Sequence, residues 1–266
     1  MNKTNTIVLK IGGSVITDKD GELSARTEVI NRLSEEIARA KSPNLIIVHG
    51  GGSFGHPAAT KHAIKEGFKS ESQKIGFAET HHVMTVLNGL VMDSLVWHDL
   101  PAVSVTPSSC AITEAGRIKI FNDNALRMLL SMGFVPVLYG DVTLDEKLGF
   151  TVLSGDQLAS HLAVKFGAAK IIFGVDTDGL FNSDPKIDKN AKLYNHLTLK
   201  ELIHAQEKLR LPTKTDVTGG MPGKVSELVQ AVEGGIPVEI VNASKPNRVY
   251  KSLLGESVEG TIIEKE

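Results

Sequence analysis

Six runs of apolar, largely β-branched residues punctuate the 266-residue chain: TIVLKI (6–11), NLIIVH (44–49), PAVSV (101–105), FVPVLY (134–139), KIIFGV (170–175) and PVEIV (237–241). None shows a clean apolar/polar alternation, so a sheet built from them must be covered on both faces, as parallel sheets are. Segments of helical period lie between the runs. In 26–41 the residues Val29, Ile30, Leu33, Ile37 and Ala40 form one stripe, and further candidates occupy 79–97, 122–132, 156–166, 198–209 and 223–233. Strand and helix in repetition predict an α/β fold with a mostly parallel central sheet sandwiched by helices. Two stretches, 108–121 and 140–153, each hold two short strand-like halves around a turn and read as β-hairpins added to that sheet. The polar stretch 181–195 reads as a long loop. With no repeat, low-complexity tract or long linker, residues 1–266 are expected to form a single domain with two lobes, 1–165 and 166–266.

Charge narrows the partners. The 29 basic and 31 acidic residues nearly cancel, and no block of like charge is long enough to hold a nucleic acid or a membrane surface. A small-molecule partner is the expectation. The single cysteine, Cys110, precludes an intramolecular disulfide framework and reads as a small buried hydrophobe. The opening MNKTNTIVLKIGGSV is not a signal peptide, and no window reaches the roughly 18 apolar residues of a membrane span, so a cytoplasmic location is expected.

Glycine loops are the next signal: IGGS (11–14), HGGGSFGH (49–56), SGD (154–156) and TGGMPGK (218–224). A glycine loop before a helix lets backbone N–H groups approach an anion, and the helix N-terminus adds about half a positive charge. One such loop is an ordinary tight turn; four in one chain, two of them with a lysine, point to phosphate.

Two familiar phosphate folds do not fit. Gly50, Gly52 and Gly55 spell GxGxxG, but Pro57 follows at once and residues 60–80 offer no second strand to carry a ribose-binding acid. GGMPGKV resembles a Walker A loop, yet Thr218 stands where its first glycine belongs and Val225 where its Ser/Thr belongs. The protein-kinase HRD and DFG motifs are also missing.

Phosphoryl transfer asks a protein to align two phosphates and neutralise the moving charge. Lys10 suits that task because it interrupts a buried strand immediately before Gly12 and Gly13; Lys19 and Lys224 also accompany glycine loops. Asp156 could cap the helix after it, pair with lysines, or do both. Asp176 and Asp178 follow a strand and could form a turn or face a nucleotide. His49 reads as structural. His56 is either a surface residue or a donor to a phosphate oxygen. The histidines His81, His82 and His161 show no metal-ligand spacing.

Taken together and in order, LKIGGSVITDK (9–19), VHGGGSFGH (48–56), YGDV (139–142), SGD (154–156), VDTDGLF (175–181) and DVTGGMPGK (216–224) resemble the amino acid kinase superfamily and, within it, the isopentenyl phosphate kinase family of the alternative mevalonate pathway. The histidine-terminated loop carries the narrower resemblance. It implies an αβα sandwich in which the first lobe holds the acceptor phosphate and the second the nucleotide. The implied reaction is transfer of the γ-phosphoryl of ATP to isopentenyl phosphate, with Mg²⁺ on the nucleotide. By motif, His56, Gly51 and Gly155 would meet the acceptor phosphate, and Lys10, Gly12, Gly13, Ser14 and Gly52 would cradle the ATP phosphates. Lys19 would support the transition state and Asp156 would order the lysines. Asp176, Gly219, Gly223 and Lys224 would line the nucleotide side. For an apolar tail, position suggests the helix after Gly76, with Phe77, Thr80, Val83, Met84 and Leu87. The resemblance also implies a homodimer. Kinases of the same fold acting on a phosphonate antibiotic, carbamate, glutamate or a nucleotide are the alternatives; a non-catalytic nucleotide sensor is disfavoured by the three lysines.

Overall fold

The computed structural model of the chain describes residues 4–18, 21–183, 185, 187–209 and 220–266. The apolar runs become β1 (Ile7–Ile11), β2 (Leu45–His49), β3 (Ala102–Ser104), β6 (Val135–Tyr139), β9 (Lys170–Val175) and β11 (Val238–Asn242). With β10 (His196–Thr198) and β12 (Gly260–Glu264) they form an eight-stranded sheet in the order β10-β12-β11-β9-β1-β2-β6-β3. Among the described residues every neighbouring pair is parallel except β11 with β12. Strands β10 and β12 escape a sequence reading because they are short or flanked by charge.

Both faces of the sheet are covered, which is why its strands do not alternate. On one face Val8, Ile46, Val48, Ile171 and Phe173 pack against α6 (Gly155–Phe166) and α8 (Gly220–Glu233). On the other, Leu9, Ile11, Ile47 and Ile172 pack against α2 (Thr27–Ala40) and α4 (Gln73–Trp97). Successive strand residues point to opposite faces, so Lys10 shares the α6/α8 face with Val8. A lysine only 4% exposed on that face requires a partner from those helices.

Three expectations need correction. The two hairpins do form, as β4 (Ala111–Glu114) with β5 (Arg117–Phe121) and β7 (Asp141–Asp145) with β8 (Gly149–Leu153), but they make a separate four-stranded sheet, β5-β4-β7-β8. The chain leaves the main sheet at Gly140, whose N–H donates back to the His49 carbonyl at 2.9 Å. Buried Asp145 then unites the two hairpins by accepting from the N–H groups of Ala115, Gly116, Lys147 and Leu148 and from the Thr113 hydroxyl.

Helix α4 begins at Gln73 rather than near 79. Its first turns lack an apolar stripe and are held by polar contacts: the Gln73 side chain accepts from Lys69 N–H at 2.7 Å and donates to the His62 and Gly67 carbonyls. Pro57 does not stop the glycine loop from entering a helix, because it lies inside α3 (Gly52–Lys61). Its ring forgoes one backbone bond, a cost a packed helix can carry. The argument against a dinucleotide fold therefore rests on the missing second strand alone: α3 leads into α4, and the neighbours of β2 are β1 and β6.

Candidate active site

The carboxyl ends of β1, β2, β6 and β9 lie side by side, and the chain departs from β1 toward β2 on one side while β9 continues toward β11 on the other. Ligands of open α/β sheets gather at such a switch point. Here the first two glycine loops are packed backbone to backbone. Gly12 N–H donates to the Gly174 carbonyl at 2.8 Å and Gly50 N–H to the Ile11 carbonyl at 2.9 Å. A methyl group on Gly13 would lie 2.2 Å from the Gly52 nitrogen, and one on Gly50 2.7 Å from the Gly13 nitrogen.

Thr17, which lies in the first quoted motif but has no role assigned there, fastens the two loops. Its hydroxyl donates to the Gly13 carbonyl at 2.8 Å and accepts from Ser53 N–H at 3.0 Å. Gly52 has φ +48°, and a Cβ there would sit 1.9 Å from that hydroxyl. Gly52→Ala combines left-handed strain with this clash and should cost about 3 kcal/mol or more. Urea denaturation measures it, and an unchanged midpoint would show that the loops can separate without penalty.

Lys10 ends the polar side of β1, and its Nζ lies 2.6 Å from Asp156 Oδ1. Lys224 Nζ, from α8, reaches Asp156 Oδ2 at 2.7 Å. One carboxylate thus holds two ammonium groups, the three side chains coming from three elements. Burial pushes the Lys10 ammonium down to about 8, with Asp156 opposing that fall and the Lys224 charge adding to it. For Asp156 burial acts upward, but the charges of Lys10 and Lys224 overcome it and hold the carboxyl well below the usual range. Asp156 is not the cap of α6; the Ser154 hydroxyl is, accepting from Gln157 N–H at 3.1 Å. That frees the Asp156 carboxylate for the lysines.

His56 lies in α3 with an exposed imidazole. Although the residue is exposed overall, partial desolvation of the ring, then the charge of Lys10, keeps its pKa below the ordinary value, so it is neutral near pH 7. The charges of Asp156 and Lys224 act on it too. His49 is wholly buried, contacts Asn88 Oδ1 and the Gly50 carbonyl at 3.2 Å each, and is pushed down to about 4 by burial. It is a strut under the loop, as its sequence position suggested. Burial likewise pushes the Cys110 thiol up to about 11, too high for a nucleophile at neutral pH.

The remaining expected residues are placed as follows. Gly51 and Gly155 border the loop ends, with a Cβ on Gly155 falling 3.0 Å from the His49 carbonyl. Ser14 lies in the short helix α1 (Gly13–Ile16). Asp176 directly follows β9, while neighbouring Asp178 is bound to Lys245 at 2.7 Å and Asn242 at 3.1 Å. Gly223 falls within α8. Lys19 and Gly219 lie outside the described residues. Along α4, Phe77 packs on Phe150 with ring centroids 5.4 Å apart, Thr80 donates to the Gly76 carbonyl, and Met84 is buried beneath Gly51 and Gly55. Among the described residues no group of three or more His, Cys, Asp or Glu side chains converges as a metal cage.

A mostly parallel αβα sandwich with glycine loops at its strand ends and a strand lysine paired through one carboxylate with a helix lysine defines a phosphate-handling enzyme of the small-molecule kinase class. The chain matches the amino acid kinase family over residues 5–242 and belongs to it. It is 42% identical to isopentenyl phosphate kinase of Methanothermobacter thermautotrophicus, over 97% of this chain and 98% of that protein. The isopentenyl phosphate kinase of Methanocaldococcus jannaschii is 36% identical over the same shares. A crystallographic isopentenyl phosphate kinase structure superimposes with a TM-score of 0.86 at 38% identity, covering 97% of this chain and 99% of that one. An isopentenyl phosphate kinase substrate complex gives 0.81 at 28% identity, covering 97% of this chain and 100% of that one.

Proposed function

We propose that this chain catalyses the ATP-dependent phosphorylation of isopentenyl phosphate to isopentenyl diphosphate. The observation that carries the reading is the Lys10–Asp156–Lys224 cluster beside the paired glycine loops, with His56 at its edge. The near full-length similarity to isopentenyl phosphate kinases selects the acceptor.

The chemistry suits these groups. A non-bridging oxygen of the acceptor phosphate forms the new bond to the γ-phosphorus as the bond to the β–γ bridging oxygen breaks, and ADP leaves with the electron pair. The nucleophile is already ionised, so no general base is needed, and the barrier is the approach of two anions. Lys10, with the backbone of Gly12, Gly13, Ser14 and Gly52, would neutralise the ATP phosphates. Gly51, His56 and Gly155 would hold the acceptor phosphate. Asp156 would keep both ammonium groups in place, and Lys19 would act on the transition state. Asp176, Gly219, Gly223 and Lys224 would form the nucleotide side, making residues 1–165 the acceptor lobe and 166–266 the nucleotide lobe. Mg²⁺ would arrive on the ATP phosphates, the usual habit of that ion. Phe77, Thr80 and Met84 would shape the tail slot.

The purified protein with Mg-ATP should phosphorylate isopentenyl phosphate in preference to fosfomycin, carbamate, acetylglutamate and UMP. Better turnover of any of those would transfer the assignment to a sister activity. The exposed α4 side chains Val86, Val96 and Trp97 support a homodimer, for which light scattering is the measurement. No helix among the described residues is long and apolar enough to cross a membrane, and the lone cysteine suits the cytoplasm.

The lowered Lys10 gives a pH prediction. A depressed lysine loses its charge earlier as pH rises, so kcat/KM for ATP should fall through about pH 8, the limb reporting the free enzyme. In kcat the limb should move upward, because bound phosphates favour the ammonium. A kcat/KM profile flat to pH 10 would contradict a role for the Lys10 charge.

A further inference from the structure

We infer that the tip of the β4–β5 hairpin is a positioning device for the nucleotide-side lysine, acting through an Arg117–Glu227 clamp on α8. Arg117 Nη1 donates to Glu227 Oε1 at 2.5 Å and Nη2 to Glu227 Oε2 at 3.0 Å, a bidentate fork, and Nη2 also reaches Gln230 Oε1. Glu227 is 8% exposed and stands three residues beyond Lys224, on the same side of α8. The same tip grips α6 at the residue after Asp156: Ile118 N–H donates to Gln157 Oε1 at 2.9 Å, and Gln157 Nε2 donates to the Gly116 carbonyl at 3.0 Å. One turn of backbone thus holds the neighbours of both members of the Asp156–Lys224 pair.

The tip is itself rigid. Burial works against the Asp145 charge, yet the amides of Gly116, Leu148 and Lys147 and the Thr113 hydroxyl keep that carboxylate ionised beneath the turn. The need for a clamp follows from the charges. Lys10 and Lys224 share one carboxylate and carry like charges, so the balance of attraction and repulsion among the three depends on where α8 lies. Apolar contacts of Val225, Leu228 and Val232 hold α8 on the sheet without any directional bond. A bidentate arginine fork adds direction, because both of its bonds must keep their geometry. Arg117 and Glu227 would act through Lys224 rather than on a phosphate, which makes them positioning residues, and misplacement of Lys224 by about 1 Å is enough to lower the rate severalfold or more.

The inference shares with the proposed function only the placing of Lys224 at the nucleotide, and its test reads nucleotide binding as well as turnover. Arg117→Met and the isosteric Glu227→Gln should each weaken binding of Mg with a non-hydrolysable ATP analogue and lower kcat by roughly tenfold, a size usual for coupled neighbours. Arg117→Lys, which can make one bond of the fork, should recover part of the loss. In a Lys224→Met background the effect of Arg117→Met should shrink to less than about twofold, since nothing remains to be positioned. Lys119→Met is the control: its partners Glu114 and Glu146 lie within the small sheet, and it should change neither quantity. The proposal is overturned if Arg117→Met and Glu227→Gln leave affinity and kcat within about twofold, or if their effect persists undiminished beside Lys224→Met. Should the wild type bind nucleotide yet phosphorylate no acceptor, the functional reading fails and the affinity measurements still decide the clamp.

Discussion

Lys10→Met should lower kcat by about 10³-fold, the scale of losing one pre-placed charge on a transferring phosphoryl group. Its stability should change little. The ammonium is buried at 4% exposure, a cost of folding that methionine removes, and the Asp156 carboxylate keeps Lys224 at 2.7 Å as a counter-charge. The signature is therefore a dissociation between function and fold: near-normal denaturation, weakened ATP affinity and a collapsed kcat. Steady-state kinetics beside urea denaturation measures both. A variant keeping a tenth or more of wild-type kcat would show that the transferring group is neutralised elsewhere, with Lys224 the first substitute to examine.

For His56→Ala the loss should fall on the acceptor. Its kcat/KM should drop about 10²-fold, from one charge-assisted hydrogen bond plus misalignment of the nucleophile, with KM for ATP within about threefold. The imidazole is neutral before substrate arrives, held down by partial desolvation and by the Lys10 charge, so a doubly charged phosphate beside it would draw a proton onto the ring. Acceptor binding should accordingly take up protons near neutral pH, seen as a buffer-dependent enthalpy in calorimetry, and His56→Ala should abolish that dependence. Equal losses for ATP and acceptor would place His56 on both phosphates and undo the division of the loop between two ligands.

The layers of the fold were legible because they depend on local pattern. Non-alternating runs such as LIIVH and KIIFGV can be satisfied only under cover on both faces, and the helical stripes between them supply that cover. What failed were elements whose placement no apolar period reports. The start of α4 hangs on the Gln73 amide reaching His62 and Gly67, which leaves no periodic trace. Pro57 reads as a breaker, but α3 absorbs it. The hairpins 108–121 and 140–153 carry their own turn signals, but nothing local says that they pair with each other through β4 and β7 rather than with the main sheet.

Glycines, lysines and His56 are chemical commitments written residue by residue, and from them the sequence by itself determined a phosphate chemistry in a mostly parallel α/β fold. Only the tertiary structure decided which of those residues share a charge. Lys10, Asp156 and Lys224 are separated by 146 and 68 positions, and their meeting depends on the parity of β1, on Ser154 taking the cap, and on α8 being held at one axial position. The same holds for Thr17 between the glycine loops and for the Arg117–Glu227 clamp. Spacing along a chain reports local geometry within a few turns, whereas electrostatic coupling falls off with distance in space, and the two are related only after the sheet order is known.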